Sequence, residues 1–112
     1  DNTYQKLVPS MALFRISEEK HQWFKINSSN PEIGLGVLAK PLIERLEIQL
    51  DTMAPADSWK DIPRRIAATY LISALLALLT DWVMNDMPAP PAEMDRIYQS
   101  LAEPTLKCLL GA

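Results

Sequence analysis

Cysteine and histidine occur once each, as Cys108 and His21, in a chain of 112 residues. A lone cysteine forms no internal disulfide, which fits a reducing compartment and a cytoplasmic location. One histidine and one cysteine are also too few for a protein-only zinc site of the usual His/Cys type. Glycine is scarce, with three residues. Gly34 and Gly36 fall in a helical segment without a phosphate-loop or dinucleotide pattern. Basic runs are missing, the net charge is −3 and the isoelectric point lies near 5.0. That balance lacks the electrostatic footprint of a nucleic-acid binder. No charged segment followed by an apolar leader opens the chain. The longest uncharged stretch, from Ile66 to Thr80, is short of the roughly 20 apolar residues a membrane span requires. It reads as a buried helix.

Catalytic sets are missing in the same way. Ser73 has no histidine in its helical neighbourhood, and Asp57 and Asp61 are better explained as helix caps than as an acid/base pair. The sequence therefore argues against an enzyme and calls for neither cofactor nor metal.

Apolar residues are abundant, at 48%, and nine prolines punctuate the chain. Residues 1–112 fit one domain with a real core. Nearly every segment carries a helical period and none a convincing strand period. The predicted fold is all-α with five to six helices. Leu7, Val8, Met11 and Phe14 mark a first helix, with Pro9 in its first turn. Ser17, followed by Glu18 and Glu19, predicts a restart, a hydroxyl cap ahead of carboxylates at the positive end of the dipole. Asn30-Pro31-Glu32 predicts another start. The helix from there to about Met53 carries Leu35, Leu38, Leu42, Leu46 and Leu50 on one face, and Pro41 should kink or divide it.

Asp61-Ile62-Pro63 opens the next helix, which runs to about Asn85 and is apolar nearly all round. Such a helix needs cover nearly all round. A domain of this size leaves part of it for another chain, and the small stripe Thr69, Ser73, Ala77 and Thr80 lets a neighbouring helix approach. A final helix from about Ala92 to Leu110 aligns Met94, Ile97, Tyr98, Leu101, Thr105 and Cys108, with Pro104 bending it.

The stretch from Leu75 to Pro88, ending Trp82-Val83-Met84-Asn85-Asp86-Met87-Pro88, is followed by Pro91-Ala92-Glu93-Met94. Together they resemble the C-terminal domain of TetR-type transcriptional regulators. The phrase from Leu13 to Phe24 resembles the segment where that domain begins. The resemblance implies that the last two helices form an antiparallel pair and build a four-helix-bundle homodimer. It also implies an effector-sensing, non-catalytic role, responsive to a small molecule or a protein partner. DNA, and any repressor action, would be reached only through an N-terminal helix-turn-helix domain, which nothing in this chain resembles. An all-helical homo- or hetero-association module without a transcriptional role explains the excess apolar surface equally well.

Two groups of residues become candidates. For the subunit interface these are Leu75, Leu79, Trp82, Val83, Ile97, Leu101, Thr105 and Cys108; packing inside the chain is the competing assignment for each. For an effector pocket, mainly apolar with a few polar groups, they are Phe14, Trp23, Phe24 and Tyr70. An ordinary aromatic core explains those four as well.

Overall fold

The computed structural model describes residues 7–20, 22–23, 35–53 and 62–110. Among the described residues there are four α-helices, one short 3-10 helix and no strand. The order is α1 (Ser10–Glu19), a 3-10 turn (Leu35–Leu38), α2 (Ala39–Met53), α3 (Arg64–Met84) and α4 (Pro91–Leu110).

Local chemistry accounts for most boundaries. Pro9 and Pro63 stand immediately before α1 and α3, and Pro91 is the first residue of α4. Proline suits such places because its missing N–H is not needed by the first turn. The predicted break at Pro41 takes a milder form. A 3-10 turn ends at Leu38, the α-helix begins at Ala39, and Pro41 falls in the first turn where no ladder bond is lost. The predicted restart at Ser17 is corrected. Helix α1 runs straight through it, and the Ser17 side chain is buried rather than free to cap a new helix. The expected start at Asn30-Pro31-Glu32 lies outside the described residues.

The turn after α3 has a specific geometry. The Met87 amide donates to the Trp82 carbonyl at 2.8 Å and the Asp86 amide to the Val83 carbonyl at 3.1 Å. This pair of bonds is the Schellman closure, which needs a left-handed residue just past the helix. Here that residue is Asp86, φ 62°, followed by Met87 at φ 52°. Both lack glycine's freedom, so the turn stores strain of order 1–3 kcal/mol per residue. Two features hold it in place. Met87 packs on the core, and the Trp82 indole N–H donates to the Ala89 carbonyl at 2.8 Å.

The helices pair unequally. Helix α2 lies along α3, whereas α1 lies mainly along α4 and touches α3 less. Ile43, Leu46 and Leu50 give α2 its buried face. Arg64 pairs with Asp51 at 2.8 Å and Arg65 with Glu47 at 3.6 Å, joining α2 to the first turn of α3. Those carboxylates offset two cations at the positive end of the α3 dipole. Helix α3 supplies Ala67, Ala68, Leu71, Ile72, Leu75, Leu76, Leu79, Trp82 and Val83 to the core. Phe14 enters from α1 and Tyr98, Ala102 and Leu106 from α4.

By length and composition α3 is long and apolar enough to cross a membrane, and half of it is buried inside the chain. Its other half faces outward.

Candidate functional site

The outward half of α3 is the most distinctive surface of the molecule. Ile66, Tyr70, Ser73, Ala77 and Met84 recur along it at helical spacing and are exposed, with Ala74 and Leu78 half-buried on its flank. Tyr70 is 61% exposed although it belongs to an otherwise apolar helix. Helix α4 presents a matching stripe. Leu101 is 65% exposed, Cys108 is exposed, and Ile97 and Thr105 are half-buried.

A cleft of about 160 Å³ joins the two stripes, lined by Tyr70, Leu71, Ala74, Leu78, Tyr98, Leu101 and Ala102. Its floor is fixed by one buried bond, in which the Tyr98 hydroxyl donates to the Leu71 carbonyl at 2.7 Å. Burial, with a smaller contribution from Tyr70, pushes the Tyr98 phenol well above its ordinary range. The hydroxyl therefore stays a neutral donor. The cleft is about the size that takes one benzene-sized group. It is well below the roughly 300–1,000 Å³ of a pocket for a larger ligand. Such a hollow, walled by alanine, leucine and tyrosine, suits a single apolar side chain.

The interface candidates separate into two sets. Leu75, Leu79, Trp82 and Val83 are buried in the chain's own core. Ile97, Leu101, Thr105 and Cys108 lie on the outward side of α4. Tyr98, aligned with them in sequence, turns inward instead. The true inner stripe of α4 is Asp95, Tyr98, Gln99, Ala102 and Leu106, and two polar members conceal it from a hydrophobic pattern.

The aromatic candidates are not gathered in one place. Phe14 is fully buried against Trp82, Trp23 is 49% exposed, and Tyr70 lines the cleft without either of them. Phe24 lies outside the described residues. Sequence reasoning missed Ala74, Leu78 and Ala102 as cleft walls. The i, i+4 spacing of Tyr70, Ala74 and Leu78 was the available signal.

Among the described residues, no cluster of histidine, cysteine, aspartate or glutamate is placed to hold a metal ion.

Compared with known proteins, residues 12–104 match the family described as the transcriptional regulator C-terminal region, of the TetR class. No curated protein and no solved structure matches the chain.

Proposed function

The chain belongs to the TetR-type transcriptional regulators, as a C-terminal region of that family, and from that premise we propose that it is their dimerising, signal-receiving part. Two copies pair across the outward stripes of α3 and α4, and the four helices form the shared bundle. The carrying observation is the apolar outer face centred on Tyr70 and Leu101, with the cleft between them.

Size supports the reading. Two helices of about 30 Å laid side by side present roughly 600 Å² before side-chain relief is counted. A standard interface takes about 800 Å² from each partner, so the face is of the right order. The alanines and serine along α3 let a partner helix come close, and the protruding Leu101 of one copy suits the hollow of the other. Tyr70 is an amphipathic aromatic of the kind enriched among interface hot spots.

Signal reception in this reading is conformational. A small effector or a protein partner binds one arrangement of the helices better than another, and that difference shifts the DNA affinity of a helix-turn-helix domain carried by the full regulator. The region performs no chemistry of its own and works in the cytoplasm.

Light scattering after size exclusion, across a concentration series, tests the pairing. A species near twice 12.6 kDa is expected. A folded species that stays at 12.6 kDa at every concentration would contradict it.

A further inference from the structure

Polar side chains are rare inside this domain. Among the described residues only Ser10, Ser17 and Gln99 are buried polar groups, and two of the three touch each other. The Gln99 amide donates to the Ser10 hydroxyl at 2.7 Å and to the Val8 carbonyl at 3.3 Å. The Ser10 hydroxyl donates in turn to an Asp95 carboxylate oxygen. All these bonds run between the start of α1 and the inner stripe of α4.

Helix α1 needs help at that end. Its N-cap is Pro9, which supplies no side-chain bond, and its first turn holds no acidic residue. An uncapped helix start leaves amide donors and the positive end of the dipole uncompensated. Asp95 takes the Ser10 hydroxyl and so brings a carboxylate from α4 to this turn, where its charge opposes the dipole without bonding a backbone amide. Both α1 and α2 bury apolar residues, but α2 is also held to α3 by the ion pairs of Arg64 and Arg65.

The network is also incomplete. Among the described residues, the buried Gln99 carbonyl oxygen has no hydrogen-bond partner. A buried acceptor left unmatched weakens the closed state, because water satisfies it on opening. Phe14, seated against Trp82, and Leu13, packed on the core, are the apolar contacts of α1 that oppose release.

We propose that Ser10, Asp95 and Gln99 form a polar latch by which α4 holds α1, and that α1 detaches as a unit when the latch opens while α2 and α3 stay packed. The latch makes α1 the movable element of the domain. It faces away from the outer stripe of α4, so it stands independently of how copies pair.

Hydrogen exchange, followed residue by residue at a dilution that suppresses association, tests this. In the unaltered chain the amides of Leu13 to Ser17 should exchange at least about tenfold faster than those of Leu71 to Leu79, marking a local opening. Ser10→Ala and Asp95→Ala should each speed exchange in α1 by about a further tenfold and leave α3 unchanged. The double variant should add little to either, as expected within one network. Equal acceleration in α1 and α3 would mean that the contacts serve global stability, and no acceleration in α1 would mean that they hold nothing. Either result overturns the latch. Neither bears on whether copies pair, which is read separately from mass.

Discussion

Phe14 and Trp82 meet at right angles in the core, their ring centroids 5.2 Å apart and their planes at 86°. The contact joins α1 to the end of α3, and the Trp82 indole N–H then ties that end to the Ala89 carbonyl at 2.8 Å. Edge-to-face pairs of this kind add about 0.5–1.5 kcal/mol beyond the area they bury. Trp82 therefore acts as an internal keystone, joining two helices and a strained turn.

Trp82→Ala should destabilise the fold by about 3–5 kcal/mol, the range for truncating a large buried aromatic. That is a large part of the roughly 5–15 kcal/mol available to a domain. Urea unfolding followed by circular dichroism measures it. A loss under about 1 kcal/mol would show that the indole is not packed as described. Trp82→Phe should be milder, because the ring contact persists and the indole bond alone is lost.

The sequence allows Trp82 as either interface anchor or core, and the pattern of one helix cannot decide between them. Helix α3 is apolar on nearly every side, so periodicity establishes a helix without saying which side faces inward. The decision is made by Phe14, 68 positions away in the chain. Helix α4 poses the same problem in another form. Ile97, Leu101 and Thr105 and the inner set Tyr98, Ala102 and Leu106 are displaced by one residue, and both obey a helical period. Polar Asp95 and Gln99 make the inner stripe look like a solvent face until Ser10 is seen to meet them. The element types, the proline-set boundaries and the leucine face of α2 were legible because they depend on local chemistry. The choice of faces depends on contacts between distant segments.

The left-handed turn offers a gain rather than a loss. Asp86→Gly removes the side-chain clash that positive φ imposes, a cost of about 1–2 kcal/mol in this region. The greater freedom of glycine in the unfolded chain offsets part of that. Glycine also gives up an interaction that Asp86 makes, so a net gain under about 1 kcal/mol is expected, seen as a small rise in Tm. A fall in Tm would mean that the Asp86 side chain contributes more than its backbone costs.

Alkaline pH should expose the buried phenol. Burial raises the Tyr98 pKa in the folded chain above the ordinary phenol value of 10.0. The unfolded chain therefore loses the proton first. The contribution of Tyr98 is complete below pH 10.0 and declines as pH rises beyond it. Tyr98→Phe should lose about 1 kcal/mol at neutral pH through the missing bond to the Leu71 carbonyl. It should also show a shallower fall in stability at high pH. Parallel curves for the two proteins, from urea midpoints, would contradict the buried position of the hydroxyl.

Pairing through the outer face should hinge on Leu101, and Leu101→Glu should break it. Leu101 is 65% exposed, so a carboxylate there is solvated in the single chain and should leave the fold intact. Across a paired face it would sit unpartnered in the apolar hollow beside Tyr70 and Leu78. Sedimentation equilibrium of the variant beside the unaltered chain, with circular dichroism confirming equal helix content, gives the answer. The unaltered chain should be a dimer, and Leu101→Glu should weaken pairing at least about a hundredfold and leave a folded monomer. A Leu101→Glu dimer as tight as the original would place the subunit contact elsewhere on the molecule.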